Sequence, residues 1–126
     1  MERTIRLTTG PVTLGGRLLD TPTADALWDV LPVAGEVNTW GHEIYFTIPV
    51  QVPLEKSACE IVEEGDLGYW PTGAALCIFF GPTPISREGE IRPASAVNVF
   101  GKVTGDTAVL KNIRQGSTMV IDKATP

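Results

Sequence analysis

The sequence predicts a mainly β protein whose strands close into a barrel or pack as a sandwich. About eight short segments have the alternating or β-branched pattern of strands, and 13 glycines and 10 prolines supply frequent turn signals between them. Only one segment has a convincing helical pattern. Many short strands separated by turns are typical of barrels and sandwiches. A chain of 126 residues can bury one hydrophobic core, so we interpret residues 1–126 as a single domain.

The N-terminal part predicts a hairpin followed by that helix. Residues 3–8 and 12–19 have the pattern of two strands, joined by a turn at Gly10 and Pro11. Thr21 is a suitable N-cap, and Pro22 stands at the first helical position, where its missing N–H costs nothing. The apolar face of this helix consists of Ala24, Leu27, Trp28 and Leu31.

The middle of the chain predicts a second strand pair, residues 36–40 and 43–50, and a short strand at 59–62. Alternation in the strand at 43–50 separates two faces, namely Ile44, Phe46 and Ile48 against Glu43, Tyr45 and Thr47. Carboxylates are clustered at Glu60, Glu63, Glu64 and Asp66. Their spacing follows no known calcium-binding loop, so we interpret them as a solvated acidic face.

The chain is organised around residues 64–86, which read EGDLGYWPTGAALCIFFGPTPIS. Two apolar strands meet there through a turn at residues 71–73. Residues 86–95 then predict a polar surface loop, 97–103 a strand, 107–113 a helical turn and 117–122 a last strand. In the strand at 97–103, alternation separates Val97, Val99 and Val103 from Asn98, Phe100 and Lys102.

Charge and hydropathy exclude several classes of partner. Ten lysines and arginines face 15 acidic residues, and the basic residues form no cluster, which disfavours nucleic acid and anionic membrane surfaces. No apolar run approaches the roughly 20 residues of a membrane span, and the N-terminus lacks a signal-peptide pattern. Cys59 and Cys77 form no CxxC pair, and Cys77 lies in a strand like a small buried apolar residue. We therefore expect a cytoplasmic protein with reduced thiols.

The inventory of reactive residues identifies no catalytic group, metal site or cofactor. His42, the one histidine, lies in a predicted turn and cannot form a common zinc site alone. The chain contains no GxSxG, GxxxxGK[ST] or GxGxxG motif. No basic residue neighbours Cys77 in the sequence to lower its pKa.

A set of aromatic and polar residues remains as a candidate ligand site. Phe79 and Phe80 are adjacent in one strand, so alternation places one of them outside the core, on a surface or in a cleft. We expect Trp40, Tyr45, Tyr69, Phe79 and Asn98 to line one concavity. The full set of candidate ligand-binding residues is Trp40, Tyr45, Tyr69, Phe79, Phe80, Thr83, Arg92 and Asn98, with Trp70 beside them.

Four segments together resemble a small prokaryotic cyclophilin-like family of unknown biochemical role. They are the helix at 22–32, the block GDLGYWPTGAALCIFFGPTPIS, the loop EIRPAS at 90–95 and the tripeptide at 97–99, and the resemblance covers about residues 2–123. The resemblance implies a closed, eight-stranded β-barrel with one or two short helices at its ends. That architecture agrees with the independent count of strands.

The same resemblance frames the functional alternatives. True cyclophilins catalyse prolyl cis/trans isomerisation, against a barrier of about 20 kcal/mol, with an arginine and a phenylalanine-rich cleft. Residues 75–80 look like the GSQFFI strand of those enzymes without its glutamine, and residues 35–50 contain neither arginine nor methionine. This pattern favours a barrel that binds a peptide or a small ligand. The alternatives are an atypical isomerase using Arg92 as electrophile, and an assembly role through an exposed strand or aromatic patch.

Overall fold

A computed structural model describes residues 3–124 as one nine-stranded antiparallel sheet with few helices. The strands in chain order are β1 (Thr4–Thr9), β2 (Val12–Leu18), β3 (Val33–Glu36), β4 (Asn38–Thr39), β5 (Glu43–Thr47), β6 (Asp66–Trp70), β7 (Ala75–Phe79), β8 (Asn98–Val103) and β9 (Thr118–Lys123). The helix α1 (Pro22–Val30) follows β2, and short 3₁₀ helices occupy Pro71–Gly73 and Thr107–Asn112. None of these helices is long and apolar enough to span a membrane.

The sheet closes into a barrel because one chain segment, residues 33–39, pairs with both edges of the remaining sheet. The strand order is β3-β9-β1-β2-β8-β6-β7-β5-β4, so β3 and β4 stand at the two ends of the hydrogen-bonded order. Only Val37 separates them, and its main chain bonds to Ser117 and Gly116 beside β9. With β3 and β4 counted as one segment, the barrel has eight strands, which confirms the predicted architecture.

The barrel encloses the main hydrophobic core. Ile44, Phe46 and Ile48 point inward as alternation predicted, and each is at most 4% exposed. The helix α1 begins as predicted, with Thr21 accepting a hydrogen bond from the Ala24 N–H at 3.1 Å, and it contributes Ala24 and Leu27 to the core.

A second, smaller apolar cluster lies on the outer face of the sheet. Ala75, Cys77 and Phe79 of β7 point outward, while Leu76 and Ile78 between them point into the barrel. Residues 59–62 and 91–97 cover this outer face, and we name these two segments the covering layer. They bind each other through the bridges Cys59–Val97 and Val62–Ile91. The predicted strand at 59–62 is therefore reduced to isolated bridges.

The faces of β8 differ from the sequence expectation. The predicted grouping of Val103 with Val97 and Val99 is wrong, since Val103 lies in the main core with Phe100. The cause is a β-bulge, because the partners of Leu67 and Gly68 on β8 are Gly101 and Val99, which leaves Phe100 as an extra residue. An extra residue reverses the alternation beyond it.

Candidate functional site

The candidate site is a cavity between the outer face of the sheet and the covering layer. Its volume is about 230 Å³. The lining residues are Trp40, Glu43, Tyr45, Trp70, Cys77, Pro93, Ala94 and Val97. The inner wall comes from β5, β6 and β7, and the outer wall comes from residues 93–97 of the covering layer.

Strand register brings the inner wall together. Tyr45 on β5 lies opposite Cys77 on β7, and Glu43 lies opposite Phe79, so all four side chains are on the outer face of the sheet. A tight turn places Trp40 beside Glu43, with main-chain hydrogen bonds of 2.9 and 3.2 Å between these two residues. Trp70, the last residue of β6, donates its indole N–H to the Ser95 Oγ at 2.7 Å and so ties the covering layer to the sheet.

Glu43 is the unusual member of the wall. Glu43 is only 6% exposed, although a carboxylate is normally solvated. Its Oε1 is buried and has no hydrogen-bond partner within residues 3–124. Burial raises the pKa of Glu43 to about 7, and a hydrogen bond from the Cys77 thiol to the carboxyl group lowers it by a smaller amount. Near neutral pH this carboxyl group exists in both protonation states.

Cys77 is a buried thiol beside that carboxyl group. Its Sγ lies 3.8 Å from the carbonyl oxygen of Ala75 and donates to it. Burial raises the pKa of the Cys77 thiol well above its usual range, and the negative charge of Glu43 adds to this shift. A thiol held in its protonated form is a poor nucleophile, so Cys77 serves the cavity as an apolar wall.

Two of the predicted ligand-binding residues lie in the cavity wall and three lie in the barrel interior. Trp40 and Tyr45 are half-buried and line the cavity. Tyr69 is 1% exposed and donates its hydroxyl to the carbonyl oxygen of Val50 at 2.6 Å, inside the main core. Phe80 also belongs to the main core. The expectation that Tyr69 and Asn98 share a concavity with Trp40 and Tyr45 is therefore wrong, because both point to the opposite face.

Asn98 forms hydrogen bonds inside the protein. It accepts from the Glu55 N–H at 2.8 Å, and it donates to the Thr23 hydroxyl and the Pro53 carbonyl, each at 3.0 Å. These bonds connect α1, residues 53–55 and β8. Because these bonds use both the carbonyl oxygen and the amide nitrogen of the Asn98 side chain, Asn98 has a structural role.

Phe79 points outward from the sheet, yet it is not among the residues that line the candidate site. It is fully buried in the second apolar cluster. The alternation between Phe79 and Phe80 is as predicted, because Phe80 packs in the interior. The outer aromatic residue does not stand in a cleft, because the covering layer packs over it.

Thr83 and Arg92 belong to the loop beside the cavity. Thr83 is 4% exposed and its hydroxyl donates to the main-chain carbonyl of Arg92. The Arg92 side chain forms an ion pair with Glu90, with Nε 2.8 Å from Oε2. The Glu90 carboxylate raises the pKa of Arg92, mainly because it accepts a hydrogen bond from the Arg92 guanidinium group. Arg92 lines a neighbouring depression of about 280 Å³ with Glu60 and Ile85, and this depression shares Pro93 and Ala94 with the cavity.

The sequence interpretation missed Glu43, Cys77 and the residues that the covering layer contributes to the cavity. Alternation did place Glu43 with Tyr45 on the face away from the core. The missing information was that this face is covered, which depends on two segments without regular secondary structure. Within the described range, no group of three or more histidine, cysteine or acidic residues is arranged to hold a metal ion.

Comparison with known proteins identifies a family and solved structures that resemble this chain. The family model described as cyclophilin-like matches residues 3–122. The solution structure of a hypothetical protein from Archaeoglobus fulgidus is similar, with 40% sequence identity and a TM-score of 0.82. The match covers 98% of this chain and 95% of the archaeal chain. No curated protein matches.

Proposed function

The chain belongs to the cyclophilin-like family, and from this premise we propose that it is a binding barrel whose ligand enters the cavity at Glu43. One observation carries the proposal. The Oε1 of Glu43 is buried and has no hydrogen-bond partner among residues 3–124, and Glu43 lines an aromatic cavity. Buried polar atoms normally have partners, so this oxygen lacks a group that a ligand would supply.

The energetics favour a ligand with a hydrogen-bond donor. Leaving a buried polar group unpaired costs roughly 1–3 kcal/mol, and a ligand that pairs with Glu43 Oε1 recovers part of this cost. Trp40, Tyr45 and Trp70 supply apolar contact area on the same cavity wall. Aromatic walls with a few directed polar groups are typical of small-ligand sites.

The size of the cavity limits the ligand. A volume of about 230 Å³ lies below the roughly 300–1,000 Å³ of pockets for drug-sized molecules. We therefore propose a small molecule, or a single side chain of a peptide, as the group that enters. Ala94 is exposed at the rim, where the remainder of a longer ligand would lie.

The alternative of a prolyl isomerase with Arg92 as electrophile gains no comparable support. The Arg92 guanidinium is paired with Glu90 and does not line the cavity. The hydrophobic wall of such an isomerase would be Phe79 or Phe80, but Phe79 is buried under the covering layer and Phe80 is buried in the main core. We further propose a reducing, cytoplasmic location, which the free thiols of Cys59 and Cys77 support.

The three tryptophans provide the test, because only two of them lie at the cavity. Trp40 and Trp70 line it, whereas Trp28 lies on α1 between Arg3 and Lys123. A panel of small metabolites and short peptides, including Xaa-Pro peptides, would be added while the three indole N–H signals are followed by NMR. We expect a ligand to shift the Trp40 and Trp70 signals and to leave the Trp28 signal in place.

A blocking variant makes the test specific. Ala94→Phe places a large side chain at the rim and is expected to abolish the shifts, while Ala108→Phe, an exposed position away from the cavity, retains them. The proposal is overturned if no member of the panel shifts the two cavity signals. It is also overturned if shifts persist unchanged in Ala94→Phe.

A further inference from the structure

We propose that the group received by the cavity is a small organic cation, an alkylammonium, with the Glu43 carboxylate as its counter-ion and aromatic rings around it. This inference rests on the proposed function, since it names the chemical class of ligand for the same cavity. Three properties of the cavity lead to it: its charge balance, its aromatic walls and its size.

The charge balance is uneven. Three titratable residues line the cavity: Glu43 and Tyr45 on β5, and Cys77 on β7. None of the lining residues among residues 3–124 is a lysine, an arginine or a histidine. In the covering layer, Arg92 is paired with Glu90, and both Arg92 and Glu60 face the neighbouring depression. A buried carboxylate is stable only with a compensating charge or hydrogen bonds. The protein supplies no cation at this point, so a cationic ligand meets the need.

The aromatic walls suit the same kind of ligand. A cation over the face of a tryptophan or tyrosine ring is attracted by the ring quadrupole, and aromatic cages are a known way to bind alkylated ammonium groups. Trp40, Tyr45 and Trp70 line the same cavity as Glu43. Elsewhere on this molecule, the Lys123 ammonium lies 4.6 Å from the centre of the Trp28 ring, so this contact already occurs in the fold.

The size of the cavity fits an ammonium group on a short alkyl chain. About 230 Å³ holds such a group with its first carbons, whereas a nucleotide or a cofactor requires more space. The cation can come from a free small amine or from the lysine side chain of a peptide. The chemistry at Glu43 is the same for both sources, and the experiment below separates them.

Proton linkage gives the proposal a signature. A cation binds the ionised form of Glu43, whose pKa is about 7 in the empty cavity. The ionised fraction rises from about one-tenth at pH 6 to about nine-tenths at pH 8, so the affinity for a cation should rise about tenfold. A neutral ligand that accepts a hydrogen bond from the protonated carboxyl group shows the opposite dependence.

The test compares matched ligands on the full chain. The Trp40 and Trp70 indole signals are followed during titrations with n-butylammonium and with n-butanol, at about pH 6 and about pH 8. Glu43→Gln removes the charge at nearly constant shape, and Glu88→Gln removes a charge at an exposed loop position outside the cavity. The amide of N-acetyl-lysine, with and without acetylation of its side chain, represents the peptide source.

The expected result is binding of n-butylammonium that is about tenfold tighter at the higher pH, at least tenfold weaker in Glu43→Gln and unchanged in Glu88→Gln. Binding of the lysine amide in preference to the free amine identifies a peptide source. Equal binding of n-butanol and n-butylammonium at the cavity signals overturns this inference and leaves the proposed function standing. If no cation shifts the signals but a neutral ligand of the metabolite and peptide panel binds, this inference is overturned and the proposed function stands. If Glu43→Gln does not fold, the pH dependence in the wild-type protein decides.

Discussion

At the scale of single residues, Glu43 and Asn98 illustrate two fates of a polar side chain in a barrel strand. Asn98 is fully buried, yet both of its functional groups have partners. Glu43 is almost as buried, and its Oε1 lacks a partner among residues 3–124. A satisfied polar group stabilises a fold, while an unsatisfied one costs stability and marks a place where a ligand can contribute.

Glu43 should make stability fall as the pH rises. Its folded pKa of about 7 lies above its ordinary value of 4.5, so the folded protein retains a proton that the unfolded chain loses. Below about pH 4.5 the carboxyl group is protonated in both states. Between about pH 4.5 and about pH 7 only the unfolded chain loses this proton, so the free energy of unfolding decreases by up to about 3 kcal/mol over this range and is constant above it. Urea unfolding at about pH 5 and pH 8 measures this decrease.

The variant Glu43→Gln should remove this part of the pH dependence, because glutamine does not titrate. Glu88→Gln, at an exposed position, should retain the wild-type dependence. An identical pH dependence in wild type and Glu43→Gln would show that the carboxyl group is not desolvated in the folded protein.

Asn98→Ala should destabilise the fold by about 2–3 kcal/mol. The substitution removes three hydrogen bonds and leaves the Glu55 N–H without its acceptor. The midpoint of urea unfolding measures the effect, with Asn112→Ala at an exposed position as the matched control. A loss below about 1 kcal/mol would mean that solvent replaces these partners and that the network contributes little.

At the scale of elements, the sequence predicted strands well and their outward faces poorly. Alternation at 43–50 correctly separated core from outer face, because that strand is regular. The bulge at Phe100 reversed the faces of β8, and Gly101 beside it was an unused signal, because a glycine inside a strand is typical of a bulge. The covering layer has only isolated bridges, so it lacks the periodicity from which elements are predicted. Trp40 and Tyr45 could be found as aromatic residues, but Glu43 required knowledge of what covers it.

Gly68→Ala should separate the covering layer from the barrel without opening the barrel itself. A Cβ at Gly68 would lie 2.9 Å from the Val97 Cγ2 and 3.2 Å from the Phe79 ring. Such overpacking costs about 1–3 kcal/mol, and the layer, which is held by few bonds, is the part that yields. Hydrogen exchange should accelerate at the N–H groups of Cys59 and Val97, each of which donates to the main-chain carbonyl of the other residue, and remain slow in β1 and β2.

Ala34→Ser, an exposed position on β3, is the control for this change and should leave exchange unaltered. Equal acceleration throughout the chain in Gly68→Ala would contradict an independent covering layer and would make it part of the same cooperative unit as the barrel.

At the scale of the whole molecule, closure of the barrel was the most predictable property. Eight strand segments separated by frequent turns favoured a barrel or a sandwich, and the family resemblance selected the barrel. The sequence did not indicate how closure is achieved. Closure depends on the segment from β3 to β4, which changes its partner from β9 to β5 around Val37.

Gly35→Ala should destabilise this junction. Gly35 on β3 lies against Phe46 of β5, and a Cβ there would stand 2.3 Å from the ring carbon Cδ2. Phe46 is a fully buried core residue and has little room to move, so a cost of about 1–3 kcal/mol or more is expected. Thermal unfolding measures it, again with Ala34→Ser as the neighbouring control. A variant as stable as wild type would show that the junction adjusts freely.

The cavity is the one feature that connects all three scales, because residue burial, strand register and the covering layer all meet at Glu43. The most direct measurement is an NMR pH titration of the Glu43 side-chain carboxyl carbon in the free protein. We predict a midpoint at about 7, which falls when a saturating alkylammonium is added. A midpoint at the ordinary value of 4.5 would contradict the account, because it would show a carboxylate that is already solvated or paired.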